Sequence, residues 1–133
     1  AKEYNLSDRI FFLGYKTNPY KYMANCSLFV LPSYSEGLPG VLIESLSLNK
    51  KVITTNSSMG NWEILQCYKD YREKLNEPYE TELGLIVSND DTQDESVRQL
   101  AKSIDKVLTE DEHVQLPFDK YRFEGEHLVN NYM

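Results

Sequence analysis

Ser33-Tyr34-Ser35-Glu36-Gly37-Leu38-Pro39-Gly40-Val41-Leu42-Ile43-Glu44 holds two carboxylates, Glu36 and Glu44, separated by seven residues across a Gly/Pro turn. The apolar run Leu28-Phe29-Val30-Leu31 leads into this turn and an apolar helical pattern leaves it. A strand-turn-helix of this kind is where α/β proteins hold phosphorylated ligands, because the first amides of a helix are unpaired and its dipole favours negative charge. A helix starting near Pro39-Gly40 has proline at its first position, where the missing N–H costs nothing. The amides of Gly40, Val41 and Leu42 are then left without intrahelical partners. Glycines at 37 and 40 let backbone approach a ligand closely, while Pro39 stiffens the loop between them. Glu44 lies about one turn into the helix, and helical side chains lean toward the N-terminus, so its carboxylate is directed back at the same mouth. It borders the buried stripe beside Val41 and Leu48, where an unpaired acid is costly; vicinal ribose hydroxyls would supply two donors. The same residues admit a plainer reading, with Glu36 an ordinary turn acid and Glu44 a partly solvated helical one. The turn follows neither the G-x-G-x-x-G nor the P-loop pattern.

Working outward, Ile10-Phe11-Phe12-Leu13, Lys51-Val52-Ile53-Thr54-Thr55 and Leu83-Gly84-Leu85-Ile86-Val87 are further short runs that do not alternate. Runs apolar on both faces belong to strands of a covered parallel sheet. The predicted unit is strand then helix, with strands at 10–13, 28–31, 51–55 and 83–87 and helices over 19–26, 40–49, 60–68 and 94–109. The last helix opens on Asp94-Glu95 and carries Val97, Leu100, Ala101, Ile104, Val107 and Leu108 at helical spacing. Residues 69–82 are charged and Tyr-rich without a clear period and read as an excursion between helix and strand. Residues 110–117 form a linker ending at Pro117, and a terminal helix over 118–133 is weakened at Gly125. The class is α/β, with a Rossmann-like parallel sheet and flanking helices in a single domain over 1–133, long enough to bury a sizeable core.

With 14 Lys+Arg against 21 Asp+Glu the formal charge is -7, which makes nucleic acid and anionic membrane surfaces poor general partners. Cys26 and Cys67 fall in no C-x-x-C pair and have no matched His spacing, so they read as reduced, buried, small apolar residues. His113 and His127 read as surface residues, and no metal site is expected. Tyr4, Tyr15, Tyr20, Tyr22 and Tyr34 read mostly as packing residues with wet hydroxyls. Ser33 and Ser35 lack His-Asp partners and a G-x-S-x-G elbow. No apolar run approaches the roughly 20 residues that span a bilayer, and no signal-like segment opens the chain; the expected location is cytoplasmic.

Cys26-Ser27-Leu28-Phe29-Val30-Leu31-Pro32-Ser33, followed by Glu36-Gly37-Leu38-Pro39 and Val41-Leu42-Ile43-Glu44-Ser45, resembles the signature of the group-1 retaining glycosyltransferases, which have the GT-B fold. Arg9-Ile10-Phe11-Phe12-Leu13-Gly14-Tyr15 and Asn18-Pro19-Tyr20-Lys21-Tyr22-Met23 resemble that family's preceding strand, glycine turn and helix, in a form common among enzymes building bacterial surface polysaccharides. Lys51-Val52-Ile53-Thr54, Gly60-Asn61-Trp62-Glu63-Ile64-Leu65 and Gly84-Leu85-Ile86-Val87 follow in the family's order. The resemblance implies that Glu44 binds the ribose hydroxyls of a sugar nucleotide. Glu36 would contact the transferred sugar near the reacting carbon and is the candidate catalytic residue. The backbone of Gly37, Leu38, Pro39 and Gly40 would meet sugar hydroxyls, and the amides of Val41 and Leu42 the diphosphate. Gly14 and Tyr15, with Leu13, match positions near the nucleobase. Gly60 and Glu63 align with a further family element, and Trp62 stands where the family often has proline or a small residue.

The resemblance also implies retaining transfer from a nucleotide diphosphate-sugar, with UDP the expected nucleotide and neither metal nor other cofactor. The acceptor would be a glycan or lipid-linked sugar, in surface polysaccharide biosynthesis. In the family, two further strand-helix units carrying a Gly-Arg and a Lys precede the matched region, and an N-terminal half binds the acceptor. The chain therefore reads as a partial C-terminal half of a GT-B fold, inactive by itself, from a protein peripheral to the inner face of the membrane. In a Rossmann-like order of 3-2-1-4-5-6 the strand at 10–13 is third and that at 28–31 fourth, so 10–13 is expected either re-paired beside 28–31 or displaced. Two rival readings are a nucleotide-sugar epimerase of the same fold and a non-catalytic nucleotide-binding or interaction module.

Overall fold

The computed structural model describes residues 3–67, 72–89, 93–110 and 115–123. Along the chain come α1 (Tyr20–Asn25), β1 (Phe29–Leu31), α2 (Gly40–Ser47), β2 (Val52–Thr55), α3 (Met59–Ile64), β3 (Tyr79–Glu80), β4 (Gly84–Val87), α4 (Gln93–Thr109) and a 3-10 turn at Lys120–Phe123. The sheet order is β1-β2-β4-β3; the first three strands are parallel and β3 runs antiparallel to β4. Every residue of β2 and β4 is buried, which is why their sequences do not alternate. Successive side chains feed opposite faces. Val52 and Ile86 join Leu42, Leu46, Trp62 and Ile64 under α2 and α3, while Ile53, Leu85 and Val87 meet Leu100, Ile104 and Val107 of α4. This is the α/β, Rossmann-like layering expected from the sequence.

Local chemistry sets the element ends. Pro39, at φ -74° and ψ 100°, is the N-cap of α2, one position earlier than the sequence reading placed it. The end of α2 is a Schellman turn: Asn49 is left-handed at φ 59°, with Lys50 N donating to Ser45 O and Asn49 N to Leu46 O. The same motif closes α3, with Gln66 at φ 58°, Cys67 N donating to Trp62 O and Gln66 N to Glu63 O. That closure stops at Ile64 a helix expected to reach 68. At Gly84, φ is 155° and a Cβ would lie 1.9 Å from the Val52 carbonyl oxygen, so only glycine lets β4 approach β2 there.

Several expectations are corrected. The strand over 10–13 does not form: Ile10, Phe11, Phe12 and Leu13 are 41, 74, 89 and 49% exposed. A short run gains nothing as a strand without ladder partners, and β1 pairs with β2 alone; the segment is displaced rather than re-paired. Tyr4, Tyr15, Tyr20, Tyr22 and Tyr34 are all exposed rather than packed. Cys26 and Cys67 are free, as expected, but half-buried rather than buried. The excursion contains β3, whose Tyr79 ring meets Trp62 edge-on at 5.0 Å. Of the expected terminal helix the structure shows only the 3-10 turn at Lys120–Phe123; residues 124–133, with Gly125 and His127, lie outside the described residues, as does His113 within the expected linker. Among the described residues no helix is long and apolar enough to cross a membrane.

Candidate functional site

The acid turn leaves the carboxyl end of β1, and side chains from the neighbouring strands and loops grip its carbonyls. Thr54 Oγ1 donates to Leu31 O at 3.2 Å, Thr55 Oγ1 to Ser33 O, and Asn89 Nδ2 to Tyr34 O at 2.7 Å. The Ser58 hydroxyl lies 2.9 Å from Gly37 O and 3.2 Å from Asn61 Oδ1, and its one proton is shared between them. Asn61, fully buried, ties these donors together. Its side-chain amide donates to Thr55 O at 2.7 Å and Thr54 Oγ1 at 3.0 Å, and its backbone N–H caps onto Ser58 Oγ at 3.3 Å. Gly60 completes the brace: a Cβ there would sit 2.1 Å from Gly37 O and 2.9 Å from Leu38 Cα, so α3 abuts the turn backbone directly.

On this platform Glu36 is half-buried, and among the described residues no hydrogen bond or ion pair reaches its carboxylate. Glu44 is half-buried one turn into α2 and accepts a 3.3 Å hydrogen bond from the Tyr20 hydroxyl of α1. Gly37 and Gly40 face open space, with nothing within 4 Å of a notional Cβ. Leu38 is 46% exposed, Val41 half-buried and Pro39 buried. Leu42 differs from the sequence reading: its side chain is fully buried in the core and its amide donates to Pro39 O at 3.0 Å. Gly40 and Val41 therefore carry the amides left at the head of α2. Gly14, left-handed at φ 63°, and Tyr15, 91% exposed, lie in the displaced N-terminal segment; among the described residues no hydrogen bond joins either to the turn. Nor do any three His, Cys, Asp or Glu side chains among the described residues gather into a metal-holding group.

The sequence profile of the group 1 glycosyl transferases matches residues 1–117. The chain belongs to that family. An uncharacterised glycosyltransferase of Methanocaldococcus jannaschii is 38% identical over 82 residues, which is 62% of this chain and 20% of the relative. An N-acetylgalactosamine-N,N'-diacetylbacillosaminyl-diphospho-undecaprenol 4-alpha-N-acetylgalactosaminyltransferase of Campylobacter jejuni is 44% identical over 63 residues, 47% of this chain and 17% of its own length. The capsular polysaccharide biosynthesis glycosyltransferase CapH of Staphylococcus aureus is 40% identical over 70 residues, 53% of this chain and 19% of that protein. The chain thus aligns with about a fifth of each relative. No solved structure gives a significant match.

Within this glycosyl transferase chain, the residues that the sequence reading missed are the ones beneath the turn. Thr54, Thr55 and Ser58 were visible in a polar stretch, Thr54-Thr55-Asn56-Ser57-Ser58, that closes and follows the buried strand β2, with Asn61 three residues further on. Tyr20, read as a packing residue with a wet hydroxyl, instead donates that hydroxyl to Glu44, 24 positions away.

Proposed function

We propose that the chain is the donor-binding C-terminal part of a retaining glycosyltransferase that moves a sugar from a UDP-sugar to a glycan or lipid-linked acceptor in surface polysaccharide biosynthesis. The observation that carries this reading is the head of α2, where among the described residues no hydrogen bond takes up the Gly40 and Val41 amides and Glu44 sits one turn in. Those amides meet the diphosphate, the Glu44 carboxylate accepts from the ribose hydroxyls beside Tyr20, and Glu36 lies against the transferred sugar. In the transfer, the bond from the anomeric carbon to the diphosphate breaks and a bond to the acceptor hydroxyl forms on the same face, the leaving phosphate taking the hydroxyl proton. Helix amides stabilise the departing charge without a metal ion. Helix-terminal dipoles contribute about 0.3–1 kcal/mol per favourable charge, against about 1.5–3 kcal/mol for a charge-assisted contact from Arg or Lys. Donor affinity of this chain is accordingly weak, and catalysis belongs to the longer protein, on the cytoplasmic face of the membrane, whose other half binds most of the acceptor.

Calorimetry with UDP, GDP and ADP on the wild type and Glu44→Ala tests the reading. UDP binds best of the three, and Glu44→Ala weakens it by roughly 10–100-fold, the equivalent of one charged hydrogen-bonding group. Equal, poor binding of all three by both proteins would favour the non-catalytic module instead. Conversion of a UDP-sugar by the longer protein with no acceptor present would favour the epimerase.

A further inference from the structure

Among the described residues, the one hydrogen bond or ion pair that joins residues 3–26 to the rest of the chain runs from the Tyr20 hydroxyl to Glu44 Oε1, at 3.3 Å. Local chemistry fixes where that hydroxyl stands. Pro19 caps α1 at φ -73°, and its carbonyl accepts from Tyr22 N at 2.9 Å and Met23 N at 3.2 Å. At the other end Asn25 Nδ2 donates to Lys21 O at 2.7 Å and Cys26 N to Met23 O at 3.4 Å. Positions 20 and 23 share a helix face, and Met23 is buried, so the face that α1 turns inward is the one whose first residue reaches α2. The chemistry of the bond matters as much as its place. An ionised carboxylate offers about four lone-pair sites, and Tyr20 fills one. Among the described residues no cation pairs with Glu44. An Arg or Lys there would occupy further sites and offset the charge, whereas a phenol orients the group without bringing a counter-charge.

We infer that Tyr20 is a positioning residue for the donor: its hydroxyl fixes the plane of the Glu44 carboxylate so that the remaining lone pairs meet the two ribose hydroxyls; the inference rests on the donor reading of the α2 turn above. The rotational freedom of the carboxylate is then lost on folding rather than on binding, which raises the affinity for a ribose without any new contact to it. Linkage makes the effect reciprocal, since a ribose that holds Glu44 also holds the helix bonded to it. The donor site therefore extends to α1, and Tyr20 sets how strongly it prefers a ribose to a sugar without those hydroxyls.

Calorimetric titration of the whole 133-residue chain compares UDP with its 2′,3′-dideoxy analogue, which keeps the base and diphosphate and has no ribose hydroxyl for Glu44. Tyr20→Phe keeps the ring and removes the hydroxyl. It weakens UDP by about threefold to tenfold and leaves the dideoxy analogue within about twofold of wild type. In a Glu44→Ala chain the same substitution changes UDP affinity by less than about twofold, because the group it positions is gone. Tyr22→Phe, on the same helix, removes a hydroxyl that makes no hydrogen bond among the described residues, and leaves both nucleotides within about twofold. Equal weakening of UDP and the dideoxy analogue by Tyr20→Phe would mark a merely structural residue and overturn the inference. So would a Tyr20→Phe chain that binds UDP as wild type does, or additive losses in the double variant. In those three outcomes Glu44→Ala alone still weakens UDP, and the donor reading stands. Glu44→Ala binding UDP as well as wild type, or a wild-type chain that does not distinguish UDP from its dideoxy analogue, overturns the donor reading and this inference with it.

Discussion

Gly60→Ala is the sharpest perturbation of the acid turn, because the added methyl meets backbone rather than a side chain that can swing away. Its Cβ would lie 2.1 Å from Gly37 O and 2.9 Å from Leu38 Cα. Reaching 3.0 Å, itself a tight contact, requires the turn or α3 to retreat by about 0.9 Å. The Gly37 carbonyl is the acceptor for Ser58 Oγ at 2.9 Å, so a retreat of that size also strains the bond that sets the turn's height. Overpacking of this kind costs about 1–3 kcal/mol, offset in part by the roughly 0.8–1 kcal/mol by which alanine is the better helix residue. The expected net loss is up to about 2 kcal/mol, a fall in melting temperature of up to roughly 10 °C for a domain of this size. A displacement near 1 Å at a positioning loop can cost on the order of 100-fold in rate, so under the proposed function transfer activity should suffer more than stability does. Gly37→Ala and Gly40→Ala are internal controls, since a Cβ at either meets nothing within 4 Å. Differential scanning calorimetry of the three variants decides the matter: a Gly60→Ala protein as stable as Gly37→Ala would refute the idea that α3 braces the turn through this contact.

Other perturbations test other parts of the same framework. Asn61→Ala strips the donor from Thr55 O and Thr54 Oγ1 in a fully buried site and should cost about 1–3 kcal/mol by urea unfolding. Asn61→Asp places a carboxylate against the same carbonyl and should cost more at neutral pH. Burial raises the folded pKa of that acid, so the variant regains stability as pH falls, and a pH-independent deficit would count against the assigned hydrogen bonds. Gly84→Ala drives a methyl to 1.9 Å from Val52 O in the middle of the sheet, and circular dichroism should show loss of the cooperative thermal transition, where a wild-type melt would exclude the β2–β4 approach described. Burial pushes the Cys67 thiol from its ordinary 9.0 up to about 11, so alkylation of Cys67 at pH 8 is slow until urea unfolds the chain. Because the folded value is the higher one, the associated stability is present below pH 9 and is lost as pH rises toward 11; unchanged stability across that window would remove the burial assigned to this thiol.

The parts of the fold legible in the sequence were those whose cause is local. Val52-Ile53-Thr54-Thr55 and Gly84-Leu85-Ile86-Val87 read as strands because their burial on both faces leaves an unbroken apolar record, and α4 because its apolar spacing and acidic first turn are contained within it. Ile10-Phe11-Phe12-Leu13 carries a comparable record and forms no strand, since a ladder requires a neighbour and no residue type inside the run reports whether one exists. Helix ends were misjudged for the opposite reason. Gln66 adopts a left-handed conformation usually reserved for glycine or asparagine, so the composition of 60–68 concealed the closure at Ile64.

The candidate site divides along the same line, and the division has a chemical consequence. Glu36, Gly40 and Glu44 stood out because strand, turn and helix are consecutive, whereas the residues that hold them come from four other segments. Tyr20 of α1 donates to the Glu44 carboxylate, and the others act on carbonyls: Leu31, Ser33, Tyr34 and Gly37 each accept from a side chain of this chain. With those four carbonyls committed inward and, among the described residues, no acceptor on the Gly40 and Val41 amides at the head of α2, this end of the turn presents donors to the outside. A peptide segment so biased has local positive potential even though its nearest ionised groups, Glu36 and Glu44, are acids and the chain as a whole carries a charge of -7. Such a surface discriminates between ligands in a way that net charge cannot. Under the proposed function, a donor that carries an anionic diphosphate together with sugar hydroxyls would engage both the Gly40 and Val41 amides and the Glu36 and Glu44 carboxylates, a pairing that a bare phosphate cannot make.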